Sequence, residues 1–242
     1  MDTLIGQGMT AKVFSDGHYA YKVYNDNFSI DDVKYEVNLQ DILRKHTDLN
    51  ICKYDLDESK KLIKMSLIQG KSLADRMKED GYKDWLDDLI KLQVEIYQYQ
   101  DLPIPSAFEV YEKRINHSKK EQYLIDAART SFNSIERKHH LCHLDFHPLN
   151  ILYDGKAYTV IDWVNAKNAN PVMDIARTYV IFKQYLKRQA NRYLRTITEK
   201  IGVDINEVKK AIPLMAFMRL DEHDGQDAFK EDLITMITSN NP

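Results

Sequence analysis

A short polar stretch of the chain concentrates side chains that can do chemistry. Cys142 to Asn150 reads C-H-L-D-F-H-P-L-N, and a second aspartate, Asp162, follows at the end of a predicted strand. Transfer of a phosphoryl group from ATP needs a carboxylate near the acceptor hydroxyl and two oxygen ligands that hold magnesium on the phosphates. A loop followed by a hairpin can bring such groups into one cleft. The pattern therefore predicts Asp145 as the catalytic residue, and Asn150 and Asp162 as metal ligands.

The same stretch offers an alternative, because it is rich in residues that bind zinc. The possible ligands are His139, His140, Cys142, His143 and His147. Zinc binds such side chains readily. However, Pro148 and the strand signal after it disfavour a regular helix, and neither a second cysteine nor a second ligand cluster accompanies the stretch. Structural zinc is therefore the weaker of the two hypotheses.

Near the N-terminus, Gly6 to Val13 reads G-Q-G-M-T-A-K-V. This matches the pattern G-x-G-x-x-G-x-V of a phosphate-covering loop in all but the third glycine, where Ala11 stands. Glycines let backbone amides approach a phosphate closely. An ordinary turn between two strands could have the same sequence. The phosphate-loop prediction therefore depends on the other motifs in the chain.

Several of these segments resemble one family. His143 to Asn150 is similar to the catalytic loop of protein-kinase-like phosphotransferases. Histidine at position 147 and the pair Asp162-Trp163, which replaces Asp-Phe-Gly, resemble the aminoglycoside phosphotransferase and choline kinase group. The segment Asn170 to Ala176, N-P-V-M-D-I-A, resembles the "D-P-x-x-D-L-A" segment of that group.

The resemblance implies ATP and Mg2+ as cofactors and gives several residues a role. Lys22 would hold the α and β phosphates, and Glu36 would orient Lys22, with Asp31, Asp32 and Asp41 as nearby competitors for that role. Asp174 would buttress the catalytic loop. The remaining nucleotide-binding residues would be Gly6, Gly8 and Thr10 in the phosphate loop, and Ser66 and Ile68, whose backbone would bind adenine.

The acceptor is less well defined by the sequence. The acidic run Asp221 to Asp227 favours a small cationic acceptor such as an aminoglycoside. A solvent-exposed loop between two helices would have the same acidic composition without binding a ligand. Trp163, Tyr179 and Tyr185 could instead form an aromatic wall for a quaternary ammonium, as in a choline or ethanolamine kinase. A non-catalytic nucleotide-binding regulatory module on the same fold is a further alternative. The short interval between Asp162 and Asp174 disfavours a protein substrate, because it leaves no room for a long activation segment.

The elements around these residues predict an α+β chain of two lobes, similar to the bilobal protein-kinase-like fold. Residues 1–70 read as an antiparallel sheet with one helix, which Ser29 can cap, and Asp16-Gly17 signals a hairpin. Residues 71–242 read as helices, interrupted by a second hairpin at Asp154-Gly155. The first lobe would bind the nucleotide, and the second would carry the catalytic loop and the acceptor site.

Composition bounds the remaining possibilities. The 242 residues are 43% hydrophobic and 29% charged with a net charge of -3, which is ordinary for a globular protein and gives no sign of nucleic-acid binding. We expect no membrane span and no signal peptide. The two cysteines form no disulfide framework, so a cytoplasmic protein is expected. The predicted partner is a small hydroxyl-bearing molecule.

Overall fold

The computed structural model describes residues 3–8, 10–222 and 227–239. The chain divides into two compact units. The first unit comprises Met1–Lys83 and Pro148–Val164, and the second comprises Asp84–His147 and Asn165–Pro242. The predicted domain boundary after residue 70 stays a prediction.

The described residues form ten strands and nine α-helices. They are β1 (Thr3–Gln7), β2 (Ala11–Ser15), β3 (Tyr19–Tyr24), α1 (Ile30–His46), β4 (Tyr54–Asp57), β5 (Leu62–Ser66), β6 (Lys71–Ser72), α2 (Leu73–Glu79), α3 (Trp85–Ile96), α4 (Ala107–His117), α5 (Gln122–Ser134), β7 (His140–Cys142), β8 (Ile151–Tyr153), β9 (Tyr158–Val160), β10 (Lys167–Ala169), α6 (Pro171–Tyr185), α7 (Lys187–Ile201), α8 (Ile205–Glu222) and α9 (Lys230–Thr238). The α+β fold class predicted from the sequence is confirmed. Strands β6, β7 and β10 were not predicted, because two or three residues are too short to show an alternating pattern.

The first unit is built on an antiparallel sheet with the strand order β1-β2-β3-β5-β4. The predicted hairpin joins β2 to β3, and Gly17 adopts a φ of 92° in its turn, a conformation that glycine reaches without strain. Helix α1 is capped by Ser29, whose Oγ accepts the backbone N–H of Asp32 at 3.1 Å. Val33 of α1 belongs to the same hydrophobic core as Ile63 of β5. Helix α1 therefore packs on the sheet through its buried face.

A smaller sheet, with the order β6-β8-β9, completes the first unit. Lys71 in β6 pairs with Tyr153 in β8, which brings Gly70 against the backbone of the partner strand. A Cβ atom at Gly70 would lie 1.9 Å from the carbonyl oxygen of Tyr153, so only glycine fits there. This close pairing fixes the hairpin of β8 and β9 within the first unit.

The second unit is mainly helical, and α6 and α8 supply much of its buried surface. Pro213 lies inside α8, where a proline interrupts the helical hydrogen bonds. Next to it, Ser131 of α5 bonds to the backbone of α8, since its Oγ donates to the carbonyl of Lys210 at 2.5 Å and accepts the N–H of Leu214 at 3.2 Å. In the described part of the chain, no helix is both long and apolar enough to cross a membrane.

Candidate active site

The first unit holds Lys22 in a buried ion pair with Glu36. Lys22 Nζ lies 2.7 Å from Glu36 Oε1, and the hydroxyl of Tyr24 donates to Glu36 Oε2 at 2.6 Å. Glu36 is only 3% exposed, on the face of α1 that packs against the sheet. Burial alone would lower the pKa of Lys22, but the charges of Asp162 and Glu36 raise it above its ordinary value. Lys22 is therefore a fixed cation.

Asp162 also contacts Lys22. Its Oδ1 is 3.2 Å from Lys22 Nζ, and its side chain is 40% exposed. Asp162 adopts a φ of 63°, in the left-handed region that a non-glycine residue enters at a cost of about 1–3 kcal/mol. Asn150 precedes β8 and Asp162 follows β9, and the carbonyl of Asn150 accepts the N–H of Ile161 at 2.9 Å. The hairpin thus brings both predicted magnesium ligands to one end of the small sheet.

The predicted phosphate loop joins β1 to β2. The N–H of Gly8 donates to the carbonyl of Ala11 at 2.9 Å, and the carbonyl of Thr10 accepts the N–H of Asn25 at 2.9 Å. A Cβ atom on Gly6 would come no closer than 3.5 Å to its neighbours, and one on Gly8 no closer than 3.7 Å. The protein fold by itself does not require glycine at either position. Glycines let backbone amides approach phosphates closely, so two glycines here fit a phosphate-covering loop. Met9 lies outside the described residues.

Ser66 and Ile68, the residues predicted to bind adenine, lie at the end of the main sheet. Ser66 is the last residue of β5 and pairs with Tyr19, and Ile68 follows the strand. Between them, the N–H of Leu67 donates to the carbonyl of His18 at 3.3 Å. Their role in nucleotide binding stays a prediction.

Asp145, the predicted catalytic residue, lies in the second unit beside one histidine and two arginines. Its Oδ2 is 3.6 Å from His147 Nε2, and its Oδ1 is 3.9 Å from Arg177 Nη2 and 3.7 Å from Arg219 Nη1. Burial would raise the pKa of Asp145, but the hydrogen bond from His147 and the charges of Arg177 and Arg219 hold it well below its ordinary value. Asp145 is therefore a carboxylate throughout the neutral pH range.

The loop that carries Asp145 is held by Asp174, the first-turn aspartate of α6. Asp174 Oδ1 accepts the N–H of Leu144 at 2.6 Å, and its Oδ2 accepts Tyr97 Oη at 2.8 Å and Gln93 Nε2 at 2.9 Å. Leu144 has a φ of 60° and a buried side chain. His143 adds a further brace, since its Nδ1 accepts the N–H of Asp145 at 3.3 Å. These contacts fix the backbone on both sides of the catalytic carboxylate.

Two arginines beside Asp145 were missed by the sequence analysis. Arg177 follows Asp174 on α6, at a spacing that could have signalled a shared helix face. Arg219 lies on α8, far along the chain, and no motif marks it. Of the acidic run Asp221 to Asp227, residues 223–226 lie outside the described residues.

The zinc hypothesis finds little support in this loop. Cys142 is buried, its Sγ faces the carbonyl oxygen of Ala169 at 3.8 Å, and burial raises the pKa of its thiol well above the ordinary value. His140 Nδ1 lies 2.7 Å from the carbonyl oxygen of Tyr97. Within the ranges that the structure describes, no three or more His, Cys, Asp or Glu side chains converge as a metal site.

Comparison with known families agrees with the resemblance found in the sequence. Residues 10–202 match the model of a family described as "Phosphotransferase enzyme family". The chain belongs to this phosphotransferase family. A comparison with curated protein sequences found no match.

Solved structures similar to this phosphotransferase are aminoglycoside phosphotransferases. Aminoglycoside phosphotransferase APH(4)-Ia superposes with a TM-score of 0.68 at 15% identity, covering 99% of this chain and 94% of that chain. The GDP complex of wild-type aminoglycoside 2'-phosphotransferase-IIIa gives 0.62 at 17% identity, covering 97% and 90%. ADP-bound aminoglycoside phosphotransferase APH(2'')-Ib gives 0.61 at 11% identity, covering 98% and 91%. At identities of 11% to 17%, the structural similarity establishes the fold of this chain.

Proposed function

We propose that the protein transfers the γ-phosphoryl group of ATP to a hydroxyl group of a small molecule. The observation that carries this proposal is the array Glu36–Lys22–Asp162, in which one fixed cation lies between a buried glutamate and a partly exposed aspartate. Such an array suits a lysine that holds nucleotide phosphates next to an aspartate that binds their metal ion. Membership of a phosphotransferase family supports the same reading.

The nucleotide would be bound by the first unit. Lys22 would contact the α and β phosphates, Glu36 would keep the ammonium in place, and Gly6, Gly8 and Thr10 would cover the phosphates. The backbone at Ser66 and Ile68 would bind the adenine. ATP is the proposed donor, and two of the similar structures support an adenine nucleotide, since one was solved with AMP-PNP and hygromycin B and another with ADP.

Asn150 and Asp162 would hold Mg2+. Their amide and carboxylate oxygens are the donors that this ion prefers, and both lie at the same end of the β8–β9 hairpin. When bound, the ion would neutralise charge on the phosphates. Asp162 would have to exchange part of its contact with Lys22 for the metal, and its partial exposure leaves it accessible for that exchange.

Asp145 would act on the acceptor. A carboxylate with a strongly lowered pKa is a weak base, so its main contribution is to accept a hydrogen bond from the acceptor hydroxyl and aim its oxygen at phosphorus. Proton transfer to it would come late, when the new phosphorus–oxygen bond has made the hydroxyl acidic. A loose transition state, which needs positioning and charge neutralisation more than a strong base, is consistent with this role.

The test is a coupled assay of ADP release with Mg-ATP and a panel of acceptors that includes aminoglycosides, choline, ethanolamine and sugar alcohols. Asp145→Asn should lower kcat by at least about 100-fold, because misplacing a reacting group by about 1 Å costs roughly that much. The matched control is Asp126→Asn on α5, an exposed aspartate that accepts from Gln122 at 2.8 Å and should leave kcat unchanged. An Asp145→Asn variant as active as the parent would refute the role of Asp145.

Two alternative functions, the regulatory module and the zinc-binding protein, predict different experimental results. Magnesium-dependent ATP binding without transfer to any acceptor would favour the non-catalytic regulatory module. Stoichiometric zinc in the purified protein, without magnesium-dependent nucleotide binding, would favour the zinc hypothesis. A cationic acceptor, whether an aminoglycoside or choline, stays the prediction from the acidic run.

A further inference from the structure

The residue that follows Asp145 is held by a buried threonine. Thr178 Oγ1 donates to the carbonyl oxygen of Phe146 at 3.0 Å. Thr178 is fully buried in α6, four residues after Asp174. Asp174 accepts the N–H of Leu144, the residue that precedes Asp145. Two side chains one turn apart on α6 therefore hold the backbone on the two sides of the predicted catalytic carboxylate.

Both of these α6 side chains are bonded to one amide group. Gln93 of α3 is fully buried, and its Nε2 donates to Asp174 Oδ2 at 2.9 Å and to Thr178 Oγ1 at 3.2 Å. Its Oε1 accepts the hydroxyl of Tyr193 of α7 at 2.8 Å. The amide uses both of its N–H groups and its oxygen, so these three partners fix its orientation.

The hydrogen bonds of this network run in one direction. A carbonyl oxygen can only accept, so the Thr178 hydroxyl donates to Phe146 and accepts from Gln93. Gln93 Oε1 can likewise only accept, so Tyr193 is the donor at the far end. Hydrogen bonds that follow one another in this way strengthen each other, and the loss of one leaves a buried group unsatisfied. The network therefore links α7 to the catalytic loop.

We propose that Thr178 and Gln93 are positioning residues for Asp145. Thr178 holds the carbonyl that follows Asp145, and Gln93, which is anchored by Tyr193, holds the Thr178 hydroxyl in turn. This inference rests on the proposed phosphotransferase function. Asp145 would act by aiming an acceptor hydroxyl at phosphorus, so a shift of about 1 Å in its position is enough to lower the rate by roughly 100-fold. In this role neither residue touches ATP, so KM for ATP should not depend on them.

The test removes one hydroxyl group and keeps the shape of the side chain. Thr178→Val should lower kcat by at least about tenfold, while KM for ATP changes little. Thr178→Ser keeps the hydroxyl and should recover most of the lost kcat. The matched control is Thr198→Val in α7, since Thr198 is also buried and its Oγ1 donates to the carbonyl of Leu194 at 2.8 Å. This control should leave kcat unchanged.

A double-mutant cycle tests whether Tyr193 acts through Gln93. Tyr193→Phe removes the donor to Gln93 and should lower kcat by about threefold, less than Thr178→Val does, because Thr178 still reaches Phe146. The double variant should lose less than the product of the two single losses, since both changes act on the same attachment. A loss equal to that product would separate Tyr193 from Thr178 and overturn Gln93 as the link.

A merely structural role gives a different result. Residues that only stabilise the unit would lower the melting temperature and leave kcat of the folded enzyme at the parent value. An unchanged kcat in Thr178→Val would therefore overturn the positioning role, whatever its melting temperature. If Thr178→Val does not fold, Tyr193→Phe decides, because a kcat equal to that of the parent would overturn the network and a lower one would support it.

The failure of this inference can be told apart from the failure of the proposed function. If the parent phosphorylates no compound, amide hydrogen exchange over residues 141–147 is measured instead. Exchange that is faster by about tenfold in Thr178→Val but not in Thr198→Val would support the attachment of the loop while the proposed catalysis fails. Equal exchange in the parent and in Thr178→Val would overturn the inference as well.

Discussion

Replacing Asp174 by asparagine tests whether one buried carboxylate holds the catalytic loop in place. Asp174 accepts three hydrogen bonds, from Leu144 N at 2.6 Å, Tyr97 Oη at 2.8 Å and Gln93 Nε2 at 2.9 Å. An asparagine of the same shape keeps one oxygen and turns an NH2 group towards the remaining donors. In either orientation at least one buried N–H or O–H loses its acceptor.

The size of the effect follows from these contacts. A hydrogen bond to a charged group contributes about 1.5–3 kcal/mol, and a buried donor left unsatisfied costs about 1–3 kcal/mol. We therefore expect Asp174→Asn to lower the free energy of unfolding of the second unit by about 3 kcal/mol. Leu144, no longer held, would relax from its left-handed conformation, because that conformation itself costs about 1–3 kcal/mol. The movement would displace Asp145, and kcat should fall by at least about tenfold.

The two tryptophans make the stability measurement specific to one unit. Trp85 is buried in the second unit and Trp163 in the first. In a Trp163→Phe background, urea unfolding followed by the fluorescence of Trp85 reports on the second unit, and ADP release is measured in the background with both tryptophans. KM for ATP should stay near the parent value, since Lys22, Glu36 and Asp162 lie in the first unit. An unfolding free energy within about 0.5 kcal/mol of the parent, together with an unchanged kcat, would show that Asp174 does not hold the loop.

Three further predictions concern single residues. Leu144→Gly should relieve about 1 kcal/mol of strain but lose a buried side chain worth about 2–5 kcal/mol, so urea unfolding should show a net loss of stability. The lowered pKa of Lys167, about 8 against an ordinary 10.5, disfavours its charged form in the folded state. The free energy of unfolding should therefore rise as pH increases from 8 to 10.5. Lys167→Met should remove this rise and increase the free energy of unfolding at pH 7 by about 3 kcal/mol. Urea unfolding curves measured between pH 7 and 10.5 would show both effects. Tyr24→Phe removes the hydrogen bond to Glu36, so KM for ATP should increase by about tenfold, given roughly 1.5 kcal/mol for a bond to a charged group, while KM for the acceptor stays unchanged.

Local patterns account for the parts of the protein that the sequence predicted. The Asp-Gly turns predicted both hairpins because glycine reaches positive φ without strain, and Ser29 marked the start of α1 because its hydroxyl caps the first turn. The order of Asp145, Asn150 and Asp162 indicated phosphoryl transfer, because a loop followed by a hairpin can bring three residues at this spacing into one cleft. The family resemblance assigned Glu36 as the partner of Lys22 but left Asp31, Asp32 and Asp41 as competitors. The structure brings Glu36 to Lys22 because its side chain lies on the buried face of α1.

The surroundings of Asp145 depend on contacts between distant parts of the chain. Arg219 reaches it from α8, and Glu222 pairs with Arg177 of α6 and Arg114 of α4, although these residues are far apart in the sequence. An acidic run read along the chain suggests a site for a cation, whereas in the folded unit Asp221 and Glu222 pair with Arg114 and Arg177. The sequence by itself determined which groups can do the chemistry. Only the tertiary structure decided which charged side chains pair around Asp145, because electrostatic pairing depends on distance in space and not on separation along the chain.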